Sequence, residues 1–471
     1  MKTPSGDLAR RAFLQRMGQL GVAGTVAPWA MNLAVLGEAA AQSADDYKAL
    51  VCVFLSGGND NGNTVVPYDP AGHAAYAQAR GSVALPRNTL AKLNNATGLP
   101  SGQEYALHPQ LAGLAGLYNS GKLAVQMNVG TLRAPTTLEQ FKRRQGLPPK
   151  LFSHNDQQSV WQSSSAEGAS KGWGGQLGDQ LQTGNLDPTF TCVSVAGTSV
   201  FLAGEGVLQY QLGSSGVIPI YPATNRYVLS GASTACMNAL HSLITERRHH
   251  VLENELNLVT GRSMRAHTTL SAAIEGSKTQ FDAVLPSRGA VGANTNAYLP
   301  LNVQLKMVAR MIAARQTLGM KRQVFMVILG TFDHHEQLLA NHADKLKQVD
   351  LAMTGFQQAV ESLGLGKQVT TFTASEFGRT ISPNNNGSDH GWGGHHFVMG
   401  GAVKGGAFYG KPPSQIMGGE EDVGQGRYIP STSVDQYAAT MARWFGVPDN
   451  QLDSIFPNLR QFKDRSLGFM G

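Results

Sequence analysis

The chain has 471 residues, of which 42% are hydrophobic and 15% charged, and its formal net charge is +6. It carries no long Lys/Arg run and no basic-aromatic stripe, which excludes nucleic acid as a partner. Three cysteines, Cys52, Cys192 and Cys236, exclude a disulfide framework.

The N-terminus reads as a twin-arginine leader. Arg10-Arg11-Ala12-Phe13-Leu14 pairs two arginines with apolar residues. An apolar stretch from about Met17 to Gly37 follows, diluted by glycines and Pro28. Ala39-Ala40-Ala41 offers the small residues that signal peptidase cuts, so the mature chain is expected to begin near Gln42. The leader places the protein in the periplasm or outside the cell, with the twin-arginine translocase as a transient partner. It carries +2 of the charge, leaving +4 on residues 42–471.

Strand-like runs come next. Ala49–Leu55 is continuously apolar, the pattern of a strand buried on both faces. Further runs are expected at Leu123–Val129, Thr191–Ala196, Val324–Leu329, Val369–Thr373 and Phe397–Val403. Helical spacing separates them at Pro109–Tyr118, Asn302–Leu318 and Ala343–Leu363. This alternation predicts an α/β fold, an αβα sandwich around a mixed, mostly parallel sheet. Residues 42–471 are read as one domain, with a helical insertion over about 236–285. Ser287–Asn296, rich in Gly, Ala and Asn, reads as a loop. Cys52 and Cys192 sit in strand-like runs and read as buried small hydrophobes.

Sites in such sheets gather beyond the carboxyl ends of strands. The first strand ends in Asn59-Asp60. The fourth ends in Thr331-Phe332-Asp333-His334-His335-Glu336, and the fifth in Ser375-Glu376-Phe377-Gly378-Arg379. A glycine-rich loop then presents Asp389-His390 and His395-His396. Carboxylates mixed with imidazoles suit zinc, manganese or iron, and two such ions activate a nucleophile and hold an oxyanion.

These blocks resemble those of the DUF1501 family. Leu55-Ser56-Gly57-Gly58-Asn59-Asp60 through Tyr68 is similar to its opening motif. Phe332-Asp333-His334-His335-Glu336-Gln337, Ser375–Thr380, Gly387–Gly393 and the tail from Asp435 to Asn458 resemble later blocks. Thr331 and His334 stand where the family usually has glycine and threonine. The family groups with the alkaline phosphatase and sulfatase superfamily, which implies an alkaline phosphatase-like fold and two divalent ions, zinc, manganese or similar. By that resemblance Asp60, Asp333 and His335 are metal ligands, and Glu376, Asp389 and His390 are further candidates. His395 and His396 come second. The superfamily's nucleophile at a helix N-terminus maps onto Ser153, with Thr64 in reserve; Ser153 could instead only cap its helix. Arg379 would clamp the substrate anion or pair with a structural carboxylate. No Cys or Ser opens the Cys/Ser-X-Pro-X-Arg motif of formylglycine sulfatases.

The implied function is an exported metal-dependent hydrolase of small phosphate or sulfate esters. The alternatives are a non-catalytic binding or assembly protein on the same fold, and a metal site serving structure alone. An exported partner protein is a further expectation from the family.

Overall fold

The computed structural model describes residues 46–220, 233–414 and 416–471. The segment read from the sequence as a twin-arginine leader, with its expected cleavage pattern, lies outside them.

The strands that matter are β1 (Lys48–Leu55), β2 (Leu123–Gly130), β3 (Cys192–Ser194), β4 (Tyr210–Gln211), β5 (Arg322–Leu329), β6 (Val369–Ala374), β7 (Arg379–Asn384), β8 (Gly387–His390), β9 (Gly394–Met399), β10 (Phe408–Tyr409) and β11 (Thr432–Ser433). Nine of them form one sheet in the order β10-β2-β9-β6-β1-β5-β3-β4, with β11 also on β2. β1 pairs in parallel with both β5 and β6. β9 runs antiparallel to β6 and to β2, so the sheet is mixed but mostly parallel. β7 and β8 form a separate hairpin.

The helices are α1 (Pro70–Arg80), α2 (Ala112–Asn119), α3 (His154–Ser163), α4 (Trp173–Leu181), α5 (Thr234–Thr245), α6 (Val251–Glu275), α7 (Pro300–Ala313), α8 (Leu338–Ser362) and α9 (Val434–Phe445). They cover both faces of the sheet, and β1 shows why its sequence is apolar throughout. Ala49, Val51, Val53 and Leu55 pack on one face with residues of α2, α7, α8 and the end of α6. Leu50, Cys52 and Phe54 pack on the other with Trp161, Trp173 and α9. Period-two side chains meeting a layer on each side leave no solvent face to be polar. Cys52 and Cys192 are buried and free, and Cys236 is exposed. Among the described residues no helix is long and apolar enough to cross a membrane.

Two sequence expectations change. Residues 287–296 are not a loop: Arg288–Val291 and Asn294–Tyr298 pair as a hairpin around Gly292, whose φ of +55° suits the turn. Small polar residues there mark the turn and hide the short strands beside it. The sixth run is displaced to Gly394–Met399, because the strand begins before its apolar residues and stops at Gly400, φ +144°.

The loops after β1 and β5 touch. A Cβ on Gly57 would lie 2.6 Å from the Asp333 nitrogen and 2.8 Å from that of Phe332, and Gly57 has φ of +117°. Gly57→Ala is therefore expected to cost at least about 2 kcal/mol and to displace Asp333. Urea melts against the parent would check it; an unchanged midpoint would refute the close approach.

Candidate metal centre

Two loops, one strand end and one helix start converge. The loop after β5 brings Asp333 and His335, the end of β8 brings His390, the start of α3 brings His154, and the loop after β6 brings Glu376.

Asp333 is the hub. His154 Nε2 lies 3.5 Å from its Oδ2. His390 Nε2 lies 3.2 Å and His335 Nε2 3.0 Å from its Oδ1. One ligand atom each of His154, Asp333 and His390 lies within 4.8 Å of the others.

The outer nitrogens explain the arrangement. His390 Nδ1 is 2.7 Å from the Phe152 carbonyl oxygen, which only accepts, so Nδ1 carries a proton. In the neutral ring Nε2 is then a bare lone pair facing a carboxylate oxygen. His154 repeats the pattern, with Nδ1 2.8 Å from Glu376 Oε1 and Nε2 facing Asp333. Two acceptors at this range repel unless a proton or a cation lies between them. Burial pushes His390 below its ordinary pKa, against the weaker pull of the Phe152 hydrogen bond, and so disfavours the proton. His154 is raised by its bond to Glu376, with burial opposing. Burial would raise Asp333, but Arg379, His335 and His154 together hold it below the usual carboxylate range.

The residues fit a divalent ion. His390 Nε2 meets Asp333 Oδ1 at 3.2 Å and His154 Nε2 meets the other oxygen, Oδ2, at 3.5 Å, so the carboxylate would have to bridge the two rings through both oxygens or turn to share one. Histidine ligands that donate their other N–H to a carboxylate or carbonyl are the usual supporting arrangement of metal sites. The centre opens outward, with the His335 side chain 44% and the Asp333 side chain 39% exposed.

Phe152 holds the carbonyl for His390 from a left-handed backbone, φ +73°. Thr331 has φ of +66°, the physical reason a glycine suits that position. Arg427 donates from Nε to the His390 carbonyl at 2.6 Å and stacks 5.4 Å over the Phe152 ring.

The other candidates are placed as follows. Glu376 is buried; its Oε1 accepts from His154 Nδ1 and from the Gly57 N–H at 2.8 Å, behind the ligands. Asp389 Oδ1 lies 3.3 Å from His335 Nδ1 and accepts from Asn384 Nδ2 at 2.5 Å. Arg379 is buried and its Nη1 bonds Asp333 Oδ1 at 2.6 Å, so it meets a carboxylate of the protein. Asp60 is drawn onto the buried Arg80, and its Oδ1 has no partner. Ser153 precedes α3, but its hydroxyl donates to Asp156 Oδ2 at 2.8 Å and caps no backbone N–H. Thr64 Oγ1 donates to the Asp60 carbonyl at 2.7 Å. His334 packs at 6.0 Å against His342, away from its neighbour His335. His395 Nδ1 accepts from the Asn128 N–H at 3.0 Å, and His396 stacks on Tyr437. The sequence reading passed over His154, although a histidine opening a helix beside the proposed nucleophile was its visible signal.

A profile described as "Protein of unknown function (DUF1501)" matches residues 47–457. The chain belongs to the DUF1501 family. No curated protein matches it in sequence. Among solved structures this DUF1501 protein is similar to the PsFucS1 sulfatase from Pseudoalteromonas sp., at 10% identity and TM-score 0.36, over 89% of this chain and 74% of that one. It is similar to the lipoteichoic acid synthase LtaP from Listeria monocytogenes, at 8% identity and TM-score 0.33, over 90% and 75%. Wild-type alkaline phosphatase PafA matches at 10% identity and TM-score 0.29, over 71% and 63%. Similarity at this level transfers no chemistry to the DUF1501 chain.

Proposed function

We propose that this DUF1501 protein is a metal-dependent hydrolase of phosphate or sulfate esters, exported by the twin-arginine route. The observation that carries the reading is the pair of histidine Nε2 atoms facing one carboxylate, each with its outer N–H already committed. His154, Asp333 and His390 would hold one divalent ion. Bound there, it would supply Lewis acidity toward water and toward an ester oxygen.

The chain's own groups do the rest. Glu376 and the Phe152 carbonyl orient His154 and His390. Arg379 keeps Asp333 ionised and aimed. Ser153 donates to Asp156 and Thr64 to the Asp60 carbonyl, and neither hydroxyl bonds His154, Asp333 or His390, so the attacking oxygen is assigned to water rather than to a side chain. Asp389 holds His335 at Nδ1, and Nε2, 3.0 Å from Asp333 Oδ1 at the open side of the centre, is the nitrogen that would turn to take the proton of that water. A new bond then forms from the water oxygen to phosphorus or sulfur as the bond to the ester oxygen breaks, and the leaving oxygen takes the proton from His335 to depart as the alcohol.

Aryl phosphates and sulfates, assayed before and after chelation, test the reading. Ser153→Ala is expected to keep activity within a few-fold. His335→Ala is expected to lose about 10²–10⁴-fold. Loss with Ser153→Ala and none with His335→Ala would return the serine to the role of nucleophile. The non-catalytic reading draws on Arg379 and Arg80, which occupy two carboxylates expected to bind metal. Stoichiometric metal with no turnover of either ester class would favour it.

A further inference from the structure

Helices α5 and α6 form an arm. Its two members close on each other through polar contacts: Asn257 Nδ2 donates to the Leu243 carbonyl at 3.0 Å and to the Glu246 carbonyl at 2.6 Å. The C-terminal half of α6 is anchored in the main core by Ala266, Leu270 and Ile274. Among the described residues the N-terminal half has no such cover. Leu252 is 74% exposed, Leu256 65% and Val259 42%.

Those three residues are spaced by four and three, the d-a-d seam of a heptad repeat. Glu255 and Arg262 then occupy the same flanking heptad position one repeat apart, with opposite charge. Both are exposed, and neither has an ion-pair partner among the described residues. In an antiparallel pair each flanking position meets the same position of the partner. Glu255 of one copy therefore meets Arg262 of the other, and the reverse, which is the self-complementarity a two-fold interface requires. Beside Val259 and Arg262 lies a cavity of about 660 Å³ lined by Leu208, Tyr210 and Ile218 among others. Leu208 and Ile218 are themselves largely exposed.

We propose that the arm is a homodimerisation device. The occupant of its apolar stripe is α6 of a second copy, packed antiparallel, with Leu252 of each copy entering the cavity of the other. The two Glu255–Arg262 pairs set the orientation.

Light scattering coupled to size exclusion, on residues 42–471 at tens of micromolar, tests this. The parent is expected to be a dimer. Leu252→Glu with Leu256→Glu should give a folded monomer, because neither side chain packs in the core of its own protomer. Glu255→Arg alone and Arg262→Glu alone should each raise the dimer Kd about tenfold or more, since each reversal acts twice. Combining the two reversals should restore the dimer. A monomeric parent, a dimer indifferent to the leucine changes, or a combined variant no better than the single ones would each overturn the proposal.

Discussion

Replacing Glu376 by glutamine is expected to weaken divalent-metal binding about 10–100-fold without unfolding the protein. Glutamine keeps the shape and still offers an oxygen to His154 Nδ1 and to the Gly57 N–H. What it removes is the negative charge that raises the basicity of the imidazole. His154→Ala and His390→Ala remove ligand atoms outright and should abolish tight binding. Competition against a chromophoric chelator reads all three, using protein stripped and reloaded with zinc or manganese. Loaded parent should also unfold later than stripped parent, by about 4 kcal/mol when free metal is 1,000-fold over Kd. A parent that binds no stoichiometric metal would sink the centre. Equal affinity of parent and Glu376→Gln would remove Glu376 from its supporting role.

The architecture is written plainly in the sequence, whereas the site is written there only in part. β1, β5 and β6 are legible because a strand buried on both faces has no polar positions to blur it. Asp333, His335, Glu376 and His390 are legible as neighbours of strand ends, because chain direction fixes which loops share one edge of a parallel sheet. Their division into ligands and supports is not legible. Whether Glu376 reaches a metal or a histidine depends on where α3 begins, more than 200 residues away in sequence. Asp60 shows the same limit. It sits after β1 where a ligand is expected, yet Arg80 takes it, and nothing local to Asp60 announces that α1 ends in a buried arginine. Likewise His334 and His335 are indistinguishable by letter, and only the turn through Thr331, with its left-handed backbone, decides which of them faces Asp333.

The protein should lose stability steeply below pH 6.5. Burial pushes His395 down to about 4 and His396 to about 3, from an ordinary 6.5. Both side chains are therefore neutral in the fold and take a proton more readily when unfolded. Their contribution is complete above pH 6.5 and is lost as pH falls from there toward the folded values. At pH 5 the loss is about 2 kcal/mol for each. Asp435 opposes them. Burial outweighs its bonds from Ser164 and Asn458 and raises it to about 6, so it destabilises the fold as pH rises from about 4 to 6, and acidification relieves that. The relief between pH 7 and pH 5 is about 1 kcal/mol, leaving the histidines dominant by about 3. His396 isolates the effect. It packs between Trp161 and Tyr437 at 5.8 Å from each, and its Nδ1 has no partner. His396→Phe keeps an aromatic ring of similar size and removes both the orphan nitrogen and the titration. It should match or exceed the parent at pH 7.5 and exceed it further at pH 5, by about 2 kcal/mol in urea melts. Parallel pH profiles for the two proteins would show that His396 is not the neutral buried group its surroundings require.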